Sequence, residues 1–218
     1  MSADGAKLPD HEAIYRQIRD MIMFGDLAPG EAVTILGLTD AIGAGMTPVR
    51  ESIRRLTAEG ALESLGNRRV CVPHLSPDRL VEIQHARLAI EPQLARMATE
   101  RMNAETLVAL RDLDGRVDAA IERGNVEGYL EFNYRFHFRL YDAAAAPVLT
   151  RIALSLWLQI GPALRIVCGL YGTSNLPDMH HLALDALRDG DAEAAARAIR
   201  DDIEQGMDMV RQSLLEDT

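Results

Sequence analysis

Apolar residues recur at helical spacing over residues 11–24, where Ile14, Ile18, Met21 and Ile22 share one face. Gly25 breaks the run and Pro29-Gly30 makes a turn, so the pattern predicts one amphipathic helix with a definite stop. A second, short helix is predicted over Ile35–Ile42, followed by Gly43 and Gly45, which suit the tight turn between two packed helices. A third begins almost at once. Thr47 is placed to cap it, Pro48 suits its first position, and Val49, Ile53 and Leu56 form an i, i+4, i+7 apolar stripe. Arg50, Glu51 and Arg54 are then left pointing outward.

Past Gly60 the period changes. Residues 61–65 and 69–72 read as short β runs joined at Gly66-Asn67, a hairpin wing. From Ser76 the pattern is helical, punctuated at Ser76-Pro77, Asn103-Ala104, Gly124-Asn125, Pro147, residues 169–177 and Gly190-Asp191. The expected fold is mainly α: a winged helix-turn-helix over residues 1–75, then an antiparallel all-α bundle of about six helices over 76–218.

Composition narrows the function. The 218 residues carry 48% apolar side chains, enough for a packed core, and a net charge of -10, which argues against a protein that coats nucleic acid indiscriminately. Residues 45–76 nevertheless hold five arginines (50, 54, 55, 68 and 69) against three glutamates, a local charge of +2. The start MSADGAKLPD lacks the features of a signal peptide and no uninterrupted run of eighteen apolar residues occurs, so a cytoplasmic protein without a membrane span is expected. Cys71 and Cys168 lack CxxC spacing and read as buried small hydrophobes. No HExxH, GxSxG or P-loop is present, which leaves a metal-dependent hydrolase without a supporting motif.

The order helix, "GDLAPGE", helix, "GMTPVRESIRRLTAEGAL", wing and helical bundle resembles the GntR-type transcription regulators of the FadR subgroup, whose ligand domain is called FCD. The resemblance implies a homodimer that binds a double-stranded DNA operator, most simply as a repressor, under control of a small-molecule effector. It implies that the helix carrying Thr47, Pro48, Arg50 and Arg54 enters the major groove, with Arg68 and Arg69 on the wing near the minor groove. Arginine near the start of such a helix can grip guanine bidentately. Three positions depart from the family pattern: Met46 stands where an arginine is usual, Arg69 stands where the wing usually has glycine, and Leu36 replaces a frequently polar or basic residue. A ligand-binding protein with weakened DNA binding is the alternative these departures leave open.

FCD domains commonly hold a divalent metal, and the matching positions here are Asn133, His137, His180 and Asp202. Two of the family's usual ligands are thereby changed, one carboxylate to an amide and one imidazole to a carboxylate. Independently, Leu130, Asn133, His137 and Leu140 share one helical face, as do His180, Leu184 and Leu187, so polar groups lie on apolar stripes. Such groups need partners, because stranding one costs about 1–3 kcal/mol. Zinc, nickel or manganese would satisfy the set, and direct hydrogen bonds between the histidines and Asp202 are the alternative. His181 points about a quarter-turn away, towards solvent or a pocket rim. Arg87 matches an arginine that faces the effector cavity in the family and would hold a small carboxylate, an organic or sugar acid, with Tyr134 as a further lining residue. Glu91, one turn from Arg87, is that arginine's alternative partner.

Overall fold

The structure is a computed structural model that describes residues 11–66, 69–171 and 179–216. The head begins with α1 (His11–Met23), which buries Ile14, Tyr15, Ile18 and Ile22 on the face the spacing marks out. The short strand β1 (Ala32–Val33) leads into α2 (Ile35–Ile42), where Thr34 accepts from the Gly37 amide at 3.0 Å and caps the first turn. At the end of α2, Gly43 adopts φ 70° and its amide donates to the Thr39 carbonyl at 2.9 Å. A side chain there would be strained, which is why this sharp turn falls on a glycine.

The third helix, α3, runs Met46–Ala58, and Val49, Ile53 and Leu56 are buried as the stripe requires. Thr47 is not its cap. Gly45 occupies that place in extended conformation, without a side-chain hydrogen bond, and its carbonyl accepts from the Val49 amide at 3.4 Å. The helix thus starts two residues earlier, and Pro48 still costs nothing because amides of the first turn have no intrahelical acceptor.

Strands β2 (Glu63–Ser64) and β3 (Val70–Cys71) form the wing, and β1 completes a three-stranded antiparallel sheet in the order β1-β3-β2. Cys71 stands opposite both Ala32 and Glu63. The third strand escaped the sequence pattern because two residues carry no readable period. Asn67 and Arg68, the expected wing tip, lie outside the described residues, while Arg69 is exposed beside them.

The bundle consists of α4 (Pro77–Thr99), α5 (Ala104–Glu122), α6 (Val126–Ala143), α7 (Pro147–Tyr171), α8 (Met179–Asp189) and α9 (Ala192–Glu216). Ser76, Asn103 and Asn125 cap three of these helices by accepting from the amides of Arg79, Thr106 and Gly128. Helix α7 packs against α1, α4, α6 and α9 and buries Trp157, Leu158, Ile160 and Val167. By length and composition its stretch Pro147–Gly169 is also apolar enough to cross a membrane. Arg151 and Arg165 interrupt that stretch, so a search for an unbroken apolar run passes over it. Its burial against four helices is what a central bundle helix requires.

Head and bundle are joined through α7. Ser155 Oγ donates to the Glu59 carbonyl at the end of α3 (2.8 Å), and Arg79 donates to the Gly60 carbonyl (3.3 Å) and to Gln159 Oε1 (2.9 Å). At Gly161 a Cβ would stand 2.8 Å from the Met23 carbonyl oxygen, so the backbones of α1 and α7 meet only because this residue has no side chain. Gly161→Ala is therefore expected to lose about 1–3 kcal/mol by overpacking, read as a lowered urea midpoint; an unchanged midpoint would refute the close approach.

Candidate functional site

Two surfaces carry chemistry. On the head, Met46, Thr47, Arg50 and Arg54 are exposed while Val49, Ile53 and Leu56 face inward, so one face of α3 is presented to solvent. Arg54 pairs with Glu51 at 3.0 Å, an open pair at 80% and 52% side-chain exposure that adds little stability. The wing closes by Leu65 and Arg69: the Leu65 amide donates to the Arg69 carbonyl (2.9 Å), and the Arg69 amide to the Gly66 carbonyl (3.0 Å). This geometry offers guanidinium groups on a rod narrow enough for a major groove, with a hairpin alongside.

The second surface lies inside the bundle. His137 of α6, His180 of α8 and Asp202 of α9 converge, with donor atoms all within 4.8 Å of one another. His137 Nε2 lies 3.2 Å from His180 Nε2 and 3.1 Å from Asp202 Oδ2, and His180 Nε2 lies 3.9 Å from Asp202 Oδ1. Donors about 2.1 Å from a tetrahedral ion stand about 3.4 Å apart, a value that lies within the range of these separations.

The outward nitrogens are fixed by partners that the sequence did not reveal. Tyr141 OH donates to Glu91 Oε2 at 2.6 Å, since a carboxylate can only accept, and so its oxygen is left to accept from His137 Nδ1 at 3.0 Å. His180 Nδ1 donates to Asp114 Oδ1 at 3.2 Å. Both imidazoles thereby carry their hydrogen on Nδ1 and turn an Nε2 lone pair towards Asp202, an arrangement in which acceptor faces acceptor unless a cation stands between them. Burial lowers the pKa of His137 against the pull of Asp202, favouring the neutral ring that a metal needs. Burial also raises the Asp202 carboxyl, but His137, His180 and Arg87 outweigh it and bring it to about 2. Phe136 stacks on the His180 ring at 4.0 Å and shields it from water.

Beside this cluster lies a small cavity of about 40 Å3, lined by Arg87, Tyr129, Asn133, Trp157, Asp202 and Gln205 among apolar side chains that include Leu164 and Met209. Asn133 thus borders the same space as Asp202. Arg87 borders it too, yet its guanidinium is held by Glu91, with Nε at 2.5 Å from Oε1 and Nη2 at 3.1 Å from Oε2. Of the two partners weighed for Arg87, the internal glutamate holds its fork. Trp157 Nε1 also donates to Glu91 Oε2 at 3.0 Å. Tyr134, expected at the effector, is placed elsewhere: one residue beyond Asn133 turns it about 100° around the helix, where it meets Phe24, Phe138 and Trp157 and is not among the cavity lining. Tyr129, one turn before Asn133, borders the cavity instead. His181 is exposed, 3.5 Å from Asp185, and Cys71 and Cys168 are buried free thiols. Cys168 borders the cavity with a pKa raised to about 11 by burial, so it is an inert thiol there.

Glu91 is fully buried and accepts from three side chains. Glu91→Ala should cost about 3–5 kcal/mol in equilibrium unfolding by leaving a buried guanidinium without its carboxylate; a loss below about 1 kcal/mol would contradict this role.

Comparison with known proteins bears on both surfaces. The model of the FCD domain matches residues 82–205, and that of "Bacterial regulatory proteins, gntR family" matches residues 10–72. The HTH-type transcriptional regulator McbR of Escherichia coli K12 is 25% identical over 202 residues, which cover 91% of each chain. A "Probable D-xylose utilization operon transcriptional repressor" of Paenarthrobacter nicotinovorans is 27% identical over 187 residues, covering 84% of this chain and 82% of its own. Among solved structures, E. coli McbR/YncC superposes with a TM-score of 0.87 at 24% identity, covering 95% of this chain and 99% of that one. A GntR regulator from Rhodococcus sp. RHA1 gives 0.74 at 18% identity, covering 93% and 97%. These two structural likenesses speak for the fold.

Proposed function

The chain belongs to the gntR family of bacterial regulatory proteins and carries its FCD domain, and from that premise we propose that it is a homodimeric repressor of the FadR subgroup, acting in the cytoplasm. The family is one of DNA-binding transcription regulators with an effector domain and not of enzymes. The division at residues 75 and 76 separates the two tasks. Arg50 and Arg54 approach base edges and phosphates, Thr47 and Pro48 set the start of that face, and Arg68 and Arg69 reach for the backbone from the wing. Two such heads related by a two-fold axis ask for a pseudo-palindromic operator.

The observation that carries the reading is the double role of α7. Ser155 and Gln159 hold the Glu59 carbonyl at the end of α3, while Trp157, between them in sequence, borders the cavity and bonds Glu91. An effector that shifts Trp157 bears on the helix that holds the DNA-reading element. Differential contacts of this kind are what an effector needs to shift a population between two head orientations.

In the bundle, His137, His180 and Asp202, with Asn133 beside them, are the residues that would hold zinc, nickel or manganese. Such an ion supplies a positive centre for an anionic effector. Two neutral imidazoles and one carboxylate leave a divalent ion one charge in excess, and Glu91 already offsets Arg87. A small carboxylate, an organic or sugar acid, therefore meets the ion and the amides of Asn133 and Gln205 rather than the Arg87 fork.

Two measurements test this. Metal analysis of the purified protein is expected to find about one divalent ion per chain, lost in His137→Ala and bound about 10–100-fold more weakly in Tyr141→Phe and Asp114→Asn. Equal metal in wild type and His137→Ala would end the ligand assignment. In gel retardation on the DNA upstream of its own gene, Arg50→Ala should relax base preference at one position per half-site, at a cost of about 1–3 kcal/mol, whereas Arg54→Ala should weaken all sequences alike. No retardation by wild type at low salt would count against the regulator reading.

A further inference from the structure

Among the described residues of the head, the large apolar side chains left in solvent are Leu36 (65% exposed), Met46 (55%) and Leu65 (62%). Isolated exposed apolar residues need no explanation, but these three share a location. Leu36 lies in the first turn of α2, Met46 is the first residue of α3, and Leu65 follows the wing strand β2. Those are the segments that a winged helix-turn-helix turns towards the duplex. Met46 and Arg50 are four residues apart, one turn of α3, and both are exposed on the flank of the helix beside the buried stripe of Val49, Ile53 and Leu56. An apolar side chain is thus set directly beside a guanidinium, on the surface that meets nucleic acid.

We propose that Met46 reads the C5-methyl group of thymine in the major groove, one step along the recognition helix from Arg50, with Leu36 adding apolar contact at the edge of the same face. The proposal rests on the regulator reading. The major-groove edge of an A·T pair offers a methyl group that a G·C pair lacks, and an apolar side chain is its partner. A thioether side chain, unbranched and polarisable, follows a methyl group with little steric penalty. Where a cation would grip guanine, this chain puts a group that gains nothing from guanine and strands its acceptors. Specificity at that position would then favour T over G and draw on apolar burial instead of charge, so it would be largely independent of salt.

The test separates the methyl group from everything else in the base. The full-length protein selects binding duplexes from a randomised pool, and each thymine of the selected half-site is replaced in turn by deoxyuridine, which lacks only the methyl. Wild type is expected to bind about fourfold more weakly at one thymine per half-site, the loss corresponding to one methyl group no longer buried. Met46→Ala is expected to bind the dT and dU duplexes equally, with the affinity that wild type shows for dU, and its thermal midpoint should match wild type because the side chain is exposed. Equal wild-type binding to dT and dU at every position overturns the proposal while leaving DNA binding intact, as does a dT preference that survives in Met46→Ala. If wild type retards no duplex, the regulator reading falls and takes this proposal with it.

Discussion

The carboxylate of Glu91 is the interaction on which the rest of this structure depends. It sits fully buried on α4 and is compensated from three directions: the guanidinium of Arg87 on its own helix, the hydroxyl of Tyr141 on α6 and the indole of Trp157 on α7. A buried charge survives only when each lone pair finds a donor, and that demand fixes where the three helices stand relative to one another. It also fixes chemistry one bond further out. Because Tyr141 spends its hydrogen on Glu91, it can only accept from His137, and His137 must then present its other nitrogen to Asp202 and His180. A tautomer in the cluster is set by a carboxylate that does not touch it.

Through Trp157 the same carboxylate governs α7, and α7 is the wall that head and bundle share. Two positions either side of Trp157, Ser155 and Gln159 receive the end of α3, and Gly161, four positions on, admits the backbone of α1. A helix of this kind cannot bend locally without disturbing both neighbours, since packed cores yield as units and not by continuous deformation. Contacts at the Glu59, Gly60 and Met23 carbonyls carry the connection, the first from a neutral hydroxyl, the second from the Arg79 guanidinium and the third by close packing alone.

How much of this was legible in the sequence follows from the range over which each signal acts. Helix starts were legible because a cap and its amide lie three residues apart, as at Ser76, Asn103 and Asn125. At Thr47 the same signal misled by two residues: Gly45 can begin a helix without a side-chain bond, and threonine is tolerated inside the first turn. Strand β1 gave no signal because two residues have no period. His137 and His180 stood out as polar residues on apolar stripes, but Asp114, which orients His180 from 66 residues away on α5, looked like any solvated helical aspartate. Tyr141 was within reach, since i+4 from His137 is a neighbouring position on the same helix. Glu91 was weighed only as a partner for Arg87, and nothing local announced that it would also gather Tyr141 and Trp157.

Net charge poses the remaining physical problem, for a chain at -10 must approach a polyanion. Screening resolves it by distance. At physiological salt a charge is felt over about 8 Å, so the acidic helices of the bundle act weakly on a duplex held by the far side of the head. On the proposed reading the duplex meets the short stretch around α3 and the wing, where arginines outnumber glutamates by five to three over residues 45–76. Two of those glutamates are themselves occupied there, Glu51 by Arg54 and Glu59 by Tyr15 and Arg55. The head thus keeps Arg50 and Arg69 exposed on a surface with a small positive excess, which is too little to hold non-specific DNA tightly and enough to orient it. Affinity must then come from complementarity at the bases.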